Sequence, residues 1–160
     1  MTSQEPGVGF TMTLEREFAA PRALVFDCFT KAGHLAKWWG PHGFDTPVAE
    51  ADARPGGAIL LHMRAPDGGV NAIEGEYCEV SPPERLVFTL RGFRGDDGSW
   101  GIEHESTLIF EDAPGGTTLL KMTTVVKQVS EDLRFALSGM KEGWSQSLDK
   151  MDALLAEDPA

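Results

Sequence analysis

The run EDLRFALSGMKEGWSQSLDKMDALLAE, residues 131–157, decides the fold of this chain. Its apolar positions are Leu133, Leu137, Met140, Trp144, Leu148, Met151 and Leu155, separated by steps of three or four residues. That spacing draws one stripe along an amphipathic helix. It predicts a single helix over 131–157, roughly 40 Å long at about 1.5 Å per residue. Ser130 is the expected N-cap, Glu131 and Asp132 suit the helix dipole, and Asp158-Pro159 ends the pattern. Gly139 and Gly143 lie inside the run, each costing about 1 kcal/mol relative to alanine. Their presence predicts that another group approaches the helix backbone closely. A helix with a single apolar stripe needs a broad apolar surface beneath it.

The preceding residues supply that surface as strands. Phe10, Met12, Leu14 and Phe18 alternate with Thr11, Thr13, Glu15 and Glu17, the pattern of a half-buried strand. Pro21 opens a short helix with Val25, Cys28 and Phe29 facing inward, and a second short helix over 33–39 stops at Gly40-Pro41. Six further strands are expected near 44–52, 57–65, 70–80, 85–92, 102–111 and 117–127. They are divided by turn-forming clusters such as Pro55-Gly56-Gly57, Pro66-Asp67-Gly68-Gly69 and Pro114-Gly115-Gly116. Short connections imply antiparallel hairpins. The expected fold class is therefore α+β: about seven antiparallel strands, bent around a long C-terminal helix. Residues 1–9 read as a disordered polar tail and 10–158 as one domain.

Composition narrows the function classes. The chain has 160 residues, 14 basic and 25 acidic side chains, and a net charge of −11. That balance disfavours nucleic acid and anionic membranes, which both call for clustered Lys and Arg. No apolar run is long enough to span a bilayer, and the first residues lack the pattern of a secretory leader. Cys28 and Cys78 show neither disulfide-framework nor metal spacing, so both are expected to be reduced and buried. A cytoplasmic protein is expected. The residues do not choose between a monomer and a homodimer.

Several runs then carry a resemblance: FAAPRALVF (18–26), HLAKWWGP (34–41), RPGG (54–57), PPERLVF (82–88), GGT (115–117) and MKEGWSQSL (140–148). In this order and spacing the chain resembles the SRPBCC superfamily, and within it the group related to activators of the heat-shock protein 90 ATPase. The resemblance implies the helix-grip fold, with a cavity between sheet and long helix that commonly holds a small hydrophobic molecule. It does not supply a reaction, since superfamily members include carriers, receptors, cyclases and chaperone activators. The eukaryotic activators join this domain to a separate N-terminal one, whereas a short tail precedes the first strand here.

Eight residues are expected to line such a cavity: Trp39, Phe44, Met63, Tyr77, Phe88, His104, Met140 and Trp144. Each also has a plainer reading as core. Trp38 and Trp39 can anchor the short helix or border the cavity, and adjacent helical positions point about 100° apart, so the two roles are compatible. His104 follows Ile102 and precedes Leu108 and Phe110 in period-two alternation, which turns it inward with Ser106. There it serves either as a polar group in a pocket or as a strand-end histidine bonded to a backbone carbonyl. His62 is placed on the solvent face, as are Glu74 and Glu76. The 92–101 segment reads as a long loop with Phe93, Arg94 and Trp100, which either gates a pocket or folds Trp100 back onto the sheet.

No G-x-S-x-G elbow, H-E-x-x-H, phosphate loop or C-x-x-C is present, and the four histidines lack ligand spacing, so no catalytic set, metal or cofactor is expected. The function expected from the sequence is binding or carriage of a small hydrophobic molecule, with His104 or Tyr77 fixing its orientation. The rival readings are a chaperone partner that stimulates an ATPase, and a cyclase or hydrolase type of enzyme resting on His104 alone.

Overall fold

A computed structural model of the chain describes residues 8–95 and 97–157, except for the side chain of Phe135. Its elements run β1 (Thr11–Phe18), α1 (Arg22–Thr30), α2 (Ala32–Trp38), β2 (Asp45–Ala51), β3 (Ala58–Arg64), β4 (Val70–Ser81), β5 (Arg85–Arg94), β6 (Trp100–Ala113) and β7 (Thr117–Val129). A 3-10 segment (Glu131–Gly139) and α3 (Met140–Glu157) complete them. The strands form one antiparallel seven-stranded sheet in the order β1-β7-β6-β5-β4-β3-β2. The expected α+β class and its element order hold.

Alternation builds each strand. In β1 the side chains of Met12, Leu14 and Phe18 are buried while Thr11, Thr13, Glu15 and Glu17 are exposed. The β6–β7 hairpin turns tightly because Gly115 and Gly116 both take positive φ, 83° and 78°, which only glycine adopts freely. Leu86, Leu108 and Leu120 present fully buried side chains from β5, β6 and β7, and Leu148 and Met151 of α3 are equally buried. Sheet and helix therefore share one core. Arg16 of β1 fastens the far side of α3, reaching the Ser145 carbonyl at 3.2 Å, Asp149 at 2.5 Å and Asp152 at 3.2 Å.

The terminal helix departs from expectation in its first half. Residues 131–139 wind as 3-10 helix, and regular α-helix starts at Met140. The chain leaving β7 is pinned at once, since the Ser130 N–H donates to the Gly101 carbonyl at 2.7 Å and Leu133 N–H to the Ser130 carbonyl at 3.0 Å. Leu133 also rests on Gly101, where a Cβ would stand 2.4 Å from its Cδ1. That tight descent suits i→i+3 bonding, and Ser138-Gly139 gives little propensity for anything more regular. The Ser130 side chain makes no capping bond.

Two other expectations are corrected. The strands flanking 92–101 extend to Arg94 and from Trp100, so the expected long loop is mostly hairpin. Cys28 is buried as expected, but Cys78 is exposed. Plain alternation on β4 takes Ile73, Gly75 and Tyr77 inward and leaves Cys78 outside, beside Thr89.

Candidate functional site

Between one end of the sheet and the terminal helical run lies a cleft of about 270 Å³. Inward-facing residues of four strands form its floor: Met63 of β3, Ile73 of β4, Leu90 of β5, and Ile102 with His104 of β6. Leu137, Met140, Gly143 and Trp144 roof it, and Trp39, Gly40 and Pro41 close one side. The lining is overwhelmingly apolar.

The two adjacent tryptophans divide the roles that the sequence allows them. Trp38 is fully buried, its Nε1–H donates to the Cys28 carbonyl at 2.8 Å, and its ring meets Phe29 edge-on at 5.0 Å. It anchors α2 to α1. Trp39, turned from it, meets Trp144 edge-on at 5.1 Å and 82°, and both rings face the cleft. Gly40 takes φ 98° at the end of α2, so the chain can double back without displacing Met63 or Phe44.

Lys150 locks this wall to the roof. Its Nζ donates to the carbonyls of Trp39, Gly40 and Phe44 at 3.4, 3.0 and 3.0 Å. These carbonyls follow the last turn of α2, where a cation is favoured. Partial burial lowers the ammonium pKa, opposed by Asp45. Lys150→Met keeps the aliphatic stem and removes the three bonds. We expect it to cost about 1–2 kcal/mol, some 4 °C in Tm, read by thermal unfolding.

His104 lies beside Leu90 of β5 and Val126 of β7. The β6–β7 register shifts between Glu103 and His104, with Lys127 of β7 the extra residue, while pairing with β5 runs unbroken and plain alternation turns His104 inward with Ile102. Its Nδ1 is closed to solvent with no hydrogen-bond partner, so the expected alternative of a carbonyl-bonded histidine is not what the structure has. Burial pushes its pKa down to about 4, against a smaller opposing pull from Glu103. The imidazole is therefore neutral at physiological pH.

This shift has a stability consequence. The unfolded chain takes up the histidine proton near pH 6.5, whereas the folded chain resists it until about pH 4. Stability is lost as pH falls through that window, by about 3 kcal/mol at its lower edge. His104→Leu should flatten that slope between pH 6.5 and 4, as measured by urea unfolding at a series of pH values.

Of the eight expected lining residues, Trp39, Met63, His104, Met140 and Trp144 come together at the cleft. Tyr77 and Phe88 do not line it; they border a separate void of about 10 Å³ under α1 and α2. The Tyr77 hydroxyl donates to the Phe29 carbonyl at 2.8 Å and is thus already committed, with burial raising its pKa. Phe44 is also outside the lining, half-buried just before β2 with its carbonyl on Lys150. Unforeseen members include Ile73, Leu90, Ile102, Asn71 and Ser147. Cross-strand register was the missing signal, since Leu90 sits directly opposite His104. Phe93 borders the cleft, half-exposed and at φ 56°.

Among the described residues no group of three or more His, Cys, Asp or Glu side chains could hold a metal ion, and no helix is long and apolar enough to cross a membrane. Glu76 and Glu103 pair with Arg91 at 2.5 and 3.1 Å, so these acidic strand residues form an ion-pair cluster.

Comparison with known proteins places this geometry. The family described as "Activator of Hsp90 ATPase homolog 1-like protein" matches residues 19–156. A crystal structure from Chromobacterium violaceum is 31% identical, covering 90% of this chain and 95% of that one, with a TM-score of 0.77. The AHSA1 protein of Silicibacter pomeroyi is 28% identical over 93% of this chain and 99% of its own, with a TM-score of 0.75. A Mycobacterium smegmatis protein is 27% identical over 91% and 90%, at 0.74. No curated protein matches the chain.

Proposed function

The chain belongs to the family of activator of Hsp90 ATPase homolog 1-like proteins, and on that premise we propose that it binds or carries a small, mostly hydrophobic molecule in the cleft beneath α3. One observation carries the reading: a cleft of about 270 Å³ remains between sheet and helix, walled by the paired rings of Trp39 and Trp144. Interiors leave few voids larger than a water, and an apolar cleft of this size with few polar groups is the usual form of a small-molecule site. At 25 cal/mol per Å², a two-ring hydrocarbon hiding roughly 200 Å² would gain about 5 kcal/mol, a submillimolar affinity. A cytoplasmic setting fits two free cysteines, one of them exposed.

Gly143 offers a direct test. A Cβ there meets only Pro41 Cγ at 3.9 Å, an ordinary contact, and both residues line the cleft. Gly143→Leu should therefore fold, gain up to about 1 kcal/mol of helix propensity, and fill the space. Titrating tetralin while following the indole N–H resonances of Trp39 and Trp144 should give saturable shifts in the native chain. In the variant they should be lost, a weakening of at least about thirtyfold. Equal binding by both proteins would remove the cleft from the function. The chaperone-activator reading rests on the family description, and an ATPase assay with the chaperone present is the measurement that would raise it.

A further inference from the structure

The cleft holds few polar groups, and almost all of them are spoken for. Asn71 Oδ1 accepts from the Phe93 N–H at 3.0 Å, and the Ser147 hydroxyl donates to the Gly143 carbonyl at 3.2 Å. Arg91 lines the cleft, but its guanidinium is held by Glu76 and Glu103. Lys150, close by, is engaged by three carbonyls. Two groups stay open, the Asn71 Nδ2 amide at a half-buried position and the deeper His104, whose burial makes an unmet bond costlier. The His104 Nδ1 is closed off without a partner, while Nε2, also without a protein partner, is the nitrogen left to the cleft.

The tautomer follows from that placement. A proton on Nδ1 would bury an unpaired N–H donor, whereas a proton on Nε2 points where an acceptor can meet it. We propose that the ligand is a compact, uncharged, mainly apolar molecule bearing one acceptor oxygen, received by the Nε2–H of His104. This rests on the cleft-binding reading above.

Charge and size exclude the other classes. A carboxylate or phosphate would lie in an apolar cleft with no uncommitted cation in the lining, inside a chain of net charge −11. The low pKa of His104 keeps the imidazole from serving as that cation near neutral pH. A volume of 270 Å³ equals about nine waters at roughly 30 Å³ each, too little to enclose a two-chain lipid. What fits is a one- or two-ring ketone, ester or alcohol. The single oxygen would answer His104 while the rings lie against Trp39, Trp144 and Met140.

The test compares 1-tetralone, tetralin and tetralin-1-carboxylate, read by the same indole resonances at neutral pH. The first two have the same ring frame and differ in one carbonyl group. The native chain should bind 1-tetralone about tenfold more tightly than tetralin, with no saturation by the carboxylate. In His104→Leu that preference should vanish while tetralin still binds, and His104→Gln, which keeps an N–H donor, should restore part of it. The proposal is overturned if the ketone shows no preference, if the preference survives His104→Leu, or if the carboxylate binds as tightly. Binding of tetralin with no ketone preference would sink the ligand class alone. Failure of all three compounds would remove the cleft-binding reading with it.

Discussion

Gly75→Ala is expected to destabilise the fold severely, although it adds a single methyl group. Gly75 faces inward on β4 between Ile73 and Tyr77, paired with Ile59 on one side and Leu90 on the other. A Cβ there would stand 1.9 Å from the Thr89 carbonyl oxygen and 3.0 Å from Leu90 Cα. Both are backbone atoms of β5, so no side chain can rotate away. Relief requires parting the two central strands, and we expect a loss of about 4 kcal/mol or more. Gly33→Ala is the matched control. It lies in α2 with nothing within 4 Å of the added methyl, and should gain up to about 1 kcal/mol. Urea titrations of the two variants should move in opposite directions. A native-like midpoint for Gly75→Ala would contradict the β4–β5 approach described here.

Trp38→Ala should cost more than truncating either tryptophan that lines the cleft, Trp39 or Trp144. The indole is fully buried, with ring centroids 5.0 Å from Phe29, 5.4 Å from Trp39 and 6.4 Å from Trp144. Removing it opens a void behind Trp39 and leaves the buried Cys28 carbonyl without its side-chain donor. A large-to-small change of this kind costs about 4 kcal/mol. Trp38→Phe keeps most of the packing and forfeits the hydrogen bond, for about 1–2 kcal/mol. Tetralin affinity should fall in Trp38→Ala because Trp39 loses its backing. If only stability fell and affinity were native, Trp39 would be held by α3 rather than by Trp38.

The strands were readable from local rules, because alternation and turn dipeptides act over a few residues. Met140 and Trp144 were readable as lining for the same reason, sharing one helical stripe. Tyr77 and Phe88 were not separable from them. They too face inward, paired across β4 and β5, yet farther along the sheet where Phe29, Leu35 and Trp39 border the small void. Which end of the sheet the short helices cover is a tertiary fact that alternation does not carry. The 3-10 geometry of residues 131–139 was hidden similarly. Leu133 and Leu137 keep the spacing of an α-helix, while the docking on Gly101 that tightens the turn comes from a distant strand.

The two halves of the cleft's roof are built differently. Arg16 and Lys150 moor the α-helical half, through two carboxylates and four carbonyls in all. The first half winds in i→i+3 turns, whose bonding geometry is poorer, and it borders Phe93, a half-exposed phenyl at φ 56°. The poorer bond geometry of 3-10 turns favours local opening in the first half over the regular α-helix. If the cleft takes a small molecule, the expected way in lies beside Phe93 rather than through the wall of Trp39 and Gly40 that Lys150 ties to α3.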